Sequence, residues 1–137
     1  MADSFEGGCA CGAIRYASSG APQYMGNCHC RHCQQATGGG FFSAVRVAET
    51  DFRIECGEPA WYERTSDRGY SMRRGFCRDC GSPLFLVNEA RPGAVVLYAG
   101  SLDDPKWYSP SRDIFVASAL PWVCMNEEIP KFDGMPT

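Results

Sequence analysis

Seven of the nine cysteines in this 137-residue chain fall into three tight groups: Cys9-Ala10-Cys11, Cys28-His29-Cys30-Arg31-His32-Cys33 and Cys77-Arg78-Asp79-Cys80. Thiols this close together make strained disulfides with one another but chelate a single ion well. The cysteine count is odd, and the stretch Met1–Glu6 is acidic with no apolar core of a secretory signal. Both features argue against the disulfide framework of an exported protein. The expected use of the cysteines is metal ligation, and the expected location is the cytoplasm.

Each group has its own geometry. In Cys9-x-Cys11, residues two apart on extended backbone point to one face, so both thiolates reach one ion. Cys77-x-x-Cys80 is a knuckle, and Gly81 suits the positive φ that follows its second ligand. Two such bidentate arms close a tetrahedral four-cysteine site of the structural zinc kind, which contributes folding free energy directly. Cys28, Cys30 and Cys33 supply three thiolates with no fourth cysteine beside them. A zinc with three protein ligands keeps an open position, the mark of a catalytic site. His29 or His32 could close that position, although neighbours of a ligand usually point away from the metal. Alternatively, this group lends a pair to one shared four-cysteine site. Cys56 and Cys124 stand alone and are expected to be buried as small apolar residues.

Charge narrows the chemistry. Zn²⁺ with three thiolates carries a net charge of about −1 and is a weaker Lewis acid than zinc on three neutral histidines. An incoming thiol binds such a centre as thiolate. The site therefore suits making and breaking carbon–sulfur bonds better than peptide-type hydrolysis. With two histidines and no H-E-x-x-H, the chain cannot build a three-histidine centre.

The rest of the sequence is β-like. Helical periodicity is nearly absent, and short alternating runs are separated by Gly, Pro, Asn and Asp. Strands are expected at Ala13–Ala17, Phe41–Val47, Phe52–Cys56, Ala60–Arg64, Tyr70–Phe76, Leu84–Val87, Val95–Ala99 and Ile114–Ala119. A short helical turn is expected at His32–Thr37, ended by Gly38-Gly39-Gly40, and the tail after Trp122 is expected to wrap the surface. The fold class is mainly β: one small domain over residues 1–137, made of short antiparallel sheets and stabilised by zinc. The net charge of −3 argues against a nucleic-acid partner. Arg68, Arg73, Arg74 and Arg78 read as the solvated face of a strand. No apolar run approaches the roughly 20 residues of a membrane-spanning helix, so no membrane partner is expected.

Gly7-Gly8-Cys9-Ala10-Cys11-Gly12-Ala13-Ile14-Arg15-Tyr16, Cys28-His29-Cys30-Arg31-His32-Cys33-Gln34 and Phe76-Cys77-Arg78-Asp79-Cys80-Gly81-Ser82-Pro83-Leu84, taken in order, resemble the glutathione-dependent formaldehyde-activating enzyme family, which includes centromere protein V. Ile114–Trp122 resembles the family's final strand. The resemblance implies a β-tent fold and two zinc ions. Cys9, Cys11, Cys77 and Cys80 match the family's structural ligands. Cys28, Cys30 and Cys33 match the ligands of the second zinc, where chemistry on glutathione is placed. One departure is visible at Arg112-Asp113-Ile114, where many members carry a histidine.

The leading expectation is a zinc-dependent carbon–sulfur lyase acting on glutathione or another small thiol adduct through Cys28, Cys30 and Cys33. Gln34, His29 and His32 are candidates for handling the hydroxyl proton, and Gly38–Gly40 for a backbone rim. A zinc-stabilised protein-binding module is the alternative. A reductase using Cys124, similar to methionine sulfoxide reductase B, ranks last.

Overall fold

The computed structural model describes residues 3–136. Among these residues, ten strands form two sheets: β1 (Ser4–Gly8), β2 (Arg15–Ser19), β3 (Tyr24–Cys28), β4 (Phe42–Ala48), β5 (Phe52–Cys56), β6 (Ala60–Thr65), β7 (Ser71–Phe76), β8 (Pro83–Asn88), β9 (Ala94–Tyr98) and β10 (Asp113–Ile114). The smaller sheet has the order β1-β2-β5, and the larger has the order β10-β3-β4-β9-β8-β7-β6. The mainly β, antiparallel architecture is the one expected, with β10 alone pairing in parallel, on β3. The helix α1 (Arg31–Thr37) begins one residue before the expected His32 and ends at Thr37 as expected.

Two strands went unread in the sequence. β1 ends in Gly7-Gly8 and β3 contains Gly26, and glycine ordinarily weakens a strand. Here close packing demands these glycines. A Cβ on Gly7 would stand 2.4 Å from the Tyr16 hydroxyl, and one on Gly8 would stand 2.3 Å from the Ile14 carbonyl oxygen.

The expected strand Ile114–Ala119 is corrected. β10 stops at Ile114 because Phe115 enters the left-handed region (φ 56°), and Val116–Ser118 then form a 3₁₀ turn. A bulky residue there costs about 1–2 kcal/mol. The bend is held by Phe115 N–H to the Gly134 carbonyl (3.3 Å) and Val116 N–H to the Phe132 carbonyl (3.0 Å). The tail thus does more than wrap: Lys131 bridges to Asp113, and Phe132 packs beside Ile114.

The larger sheet separates two cores. One face packs Val45, Val47, Phe85, Val95 and Leu97 against Phe5 and Tyr16 of the smaller sheet and Ile14 just before β2. On the opposite face, Phe42, Ala44, Leu86, Tyr98 and Ile114 surround Cys28 and Cys33. Strand alternation produces this division: Met25 of β3 reaches the first core, while Tyr24, Gly26 and Cys28 face the second. Among the described residues, no helix is long and apolar enough to cross a membrane.

Candidate functional site

Cys9 and Cys11 lie in the turn between β1 and β2, and Cys77 and Cys80 lie between β7 and β8. The fold brings the four sulfurs within 4.8 Å of one another. Cys9 Sγ is 3.7 Å from Cys11 Sγ, which is 3.8 Å from Cys77 Sγ. Four sulfurs bound at about 2.3 Å to a tetrahedral zinc stand about 3.8 Å apart, so this spacing fits such an ion. Ile14 N–H donates to Cys9 Sγ (3.2 Å), and Ser82 Oγ lies 3.2 Å from Cys80 Sγ. Ser82 Oγ also accepts from Ala10 N–H (3.0 Å), joining the two arms. Gly81 adopts the expected positive φ (78°).

The second group forms where β3 runs into α1. Cys30 caps the helix: its Sγ accepts from Cys33 N–H at 3.4 Å. That cap turns Cys33 back toward Cys28, and the three sulfurs come within 4.8 Å of one another. No histidine nitrogen or carboxylate among the described residues joins them. Hydrogen bonds from Cys28 and Cys33 hold the Cys30 thiol down to about 2, while the same contacts and burial push Cys28 up. Three like groups crowded together cannot all ionise without a cation between them.

Arg74 corrects the reading of the basic stretch. It is 8% exposed, with its guanidinium donating to the Tyr98 hydroxyl (2.6 Å) and to Cys33 Sγ (3.7 Å). Arg73 lies over the Trp61 ring at 4.5 Å. The sequence offered one overlooked signal. β7 alternates, so two adjacent arginines fall on opposite faces of the sheet and cannot share one solvated face.

The polar residues flagged around the group separate by role. Gln34 is 3% exposed and fully engaged: its amide donates to the carbonyls of His29 (2.9 Å) and Ser118 (3.0 Å), and its oxygen accepts from Arg31. It ties α1 to the bend after β10 and is not free to move a proton. His29 is 1% exposed, and its Nε2 meets Asp113 Oδ1 at 2.9 Å while Nδ1 has no partner. Asp113 also accepts from Asn27 (3.1 Å) and Lys131 (3.0 Å). The departure at Arg112-Asp113-Ile114 therefore supplies an anchor for His29, which the sequence did not reveal. His32 Nδ1 accepts from Arg64.

Gly38 caps α1 in the left-handed conformation (φ 74°). Gly40 is covered, since a Cβ there would stand 2.3 Å from Val123 and 3.2 Å from Trp122. This leaves no open three-glycine rim. Cys56 and Cys124 are exposed, contrary to expectation. Cys56 ends an edge strand, and Cys124 lies on the tail outside both cores.

Fold and site together define a class: a mainly β protein with two thiol groups able to hold metal ions, one closed and one short of a ligand. The chain belongs to the glutathione-dependent formaldehyde-activating enzyme family, whose model matches residues 4–118. A Halomonas elongata protein named "Putative glutathione-dependent formaldehyde-activating enzyme" is 29% identical over 111 residues, 78% of this chain and 71% of that one. A crystal structure of a Rhodobacter sphaeroides protein shares the fold, with a TM-score of 0.58 at 17% identity. It covers 92% of this chain and 98% of its own.

Proposed function

We propose that the chain is a zinc-dependent carbon–sulfur lyase interconverting an S-hydroxymethyl thiol adduct, glutathione's foremost, with the free thiol and formaldehyde. Cys28, Cys30 and Cys33 would hold the zinc at the site of chemistry, and Cys9, Cys11, Cys77 and Cys80 a second zinc that supports the fold. When bound by three thiolates, zinc offers one open position that favours the thiolate form of an incoming sulfur. The β-tent arrangement of the family accommodates the two-sheet topology.

The observation that carries this reading is a largely buried three-sulfur group, with no fourth donor beside it among the described residues and a buried cation against one sulfur. Three thiolates and Zn²⁺ sum to −1, and a substrate thiolate makes the sum −2. Burying such a charge is costly unless it is paired. Arg74 supplies the pairing, and the Tyr98 hydroxyl fixes its guanidinium in place. In the cleaving direction the C–S bond breaks, its electron pair stays on sulfur, and the carbon becomes the aldehyde as the hydroxyl proton leaves to water. In the adduct-forming direction we assign the proton to His32: its Nδ1 accepts from Arg64, which leaves its proton on Nε2, free to be donated to the aldehyde oxygen. His29, between two residues that point to the sulfurs, faces the other way onto Phe41 (5.2 Å) and Asp113, and orients the β3–α1 junction.

The test is formaldehyde release from S-hydroxymethylglutathione by the zinc-loaded protein. Release that is lost in Cys33→Ser is the expected result. No turnover and no binding across a panel of thiol adducts would overturn the reading.

A further inference from the structure

Cys28 shares its face of β3 with Gly26 and Tyr24. Because Gly26 has no side chain, the Tyr24 ring can lie along the strand toward Cys28. A Cβ on Gly26 would stand 1.9 Å from the Tyr24 hydroxyl. That hydroxyl therefore sits about 7 Å along the strand from the Cys28 backbone, two residues of extended chain.

Two guanidinium groups gather on this ring. Arg46, the register partner of Tyr24 on β4, stands 4.9 Å from the ring centroid. Arg112, just before β10, stands 4.8 Å from it and donates Nε–H to the Tyr24 hydroxyl at 3.2 Å. Neither forms a salt bridge among the described residues. Burial, with repulsion from Arg91 and Arg112, holds Arg46 below its usual range. The two cations flank Tyr24 from the β4 and β10 sides of β3, and with no carboxylate partner each guanidinium can pair with an anion from solution.

We propose that Arg46 and Arg112, arranged by Tyr24 over Gly26, form a carboxylate-binding subsite that selects acidic, peptide-sized thiols for the three-cysteine group. The proposal rests on the lyase reading for its sulfur, but the subsite itself needs only the carboxylate. Guanidinium forks match carboxylates with paired hydrogen bonds. An extended peptide spans about 3.3–3.6 Å per residue, so a thiol whose carboxylate lies one or two residues from its sulfur bridges the two positions. Small neutral thiols would reach the cysteines alone.

Calorimetric titration of the zinc-loaded protein with three ligands tests this: glutathione, S-methylglutathione (which keeps both carboxylates and lacks the thiol) and 2-mercaptoethanol. In Arg46→Gln/Arg112→Gln, affinity for the first two is expected to fall by about tenfold or more, with 2-mercaptoethanol unchanged. Arg46→Gln alone, at a half-exposed position, gives the same pattern more weakly and serves if the double variant loses its fold. Equal S-methylglutathione affinity in variant and wild type, or none in wild type, overturns the subsite. So does an equal fall for 2-mercaptoethanol. If S-methylglutathione binds through the arginines while neither thiol reaches the cysteines, the lyase reading fails and the subsite stands.

Discussion

Without the Arg74 guanidinium, the Cys33 sulfur and the Tyr98 hydroxyl lose the donor they share inside the second core. A hydrogen bond to a charged group is worth about 1.5–3 kcal/mol, so Arg74→Gln should lower kcat/KM for the thiol adduct by about 10–100-fold. Steady-state kinetics with zinc content measured in parallel checks this, and unchanged kinetics would remove Arg74 from the site. Asp113 makes a different argument. Burial pushes its carboxyl up, but hydrogen bonds from His29, Lys131 and Asn27 outweigh burial and hold it below the usual range. A carboxyl lowered on folding adds stability above its unfolded pKa of about 3.9, and loses it as pH falls toward the folded value. Asp113→Asn should therefore cost about 1–3 kcal/mol at pH 7, with a smaller gap to wild type below about pH 4. Urea titrations of the two proteins side by side measure that gap, and one that stays constant with pH would contradict the ionic anchor. The two cysteine groups were legible because thiols able to share one ion sit at short spacings in the sequence. Arg74 and Asp113 were not, because their partners lie 41 and 84 residues away.

At the level of elements, the β3–α1 junction gathers the second thiol group. Cys28 ends a strand, Cys30 caps a helix and Cys33 is the third residue of that helix, so one change of secondary structure gathers three sulfurs. The sequence showed this helix through its knuckle and its glycine stop. It concealed β1 and β3, where glycines that look like breakers are sites of close approach. Gly7→Ala tests that difference. Its methyl would press on the Tyr16 hydroxyl and the Ser101 carbonyl (2.5 Å), and overpacking of this kind costs about 1–3 kcal/mol. A lower denaturation midpoint is expected, and an unchanged one would mean that β1 is loosely attached. The bend at Phe115 was equally hidden. The run Ile114–Ala119 has the apolar residues of a strand, and only long-range bonds to Phe132, Asp133 and Gly134 turn it aside.

Across the whole molecule, the two cysteine groups serve two cores on opposite faces of the larger sheet. Cys9 and Cys77 belong to the core between the sheets, where losing a metal would release both turns at once. Cys28 and Cys33 belong to the outer core, which α1 and the tail complete. A chain of this size has limited core of its own, so the first group should act as a staple. Chelation at neutral pH is accordingly expected to unfold the protein, as followed by circular dichroism. The most direct measurement is zinc per chain, read with the thermal unfolding midpoint, in wild type, Cys28→Ser/Cys30→Ser/Cys33→Ser and Cys77→Ser/Cys80→Ser. The account predicts two zinc ions in wild type. The triple variant should keep one zinc and a cooperative transition but lose turnover, and the double variant should lose the fold. A triple variant that unfolds, or a double variant that remains folded and active, would contradict it.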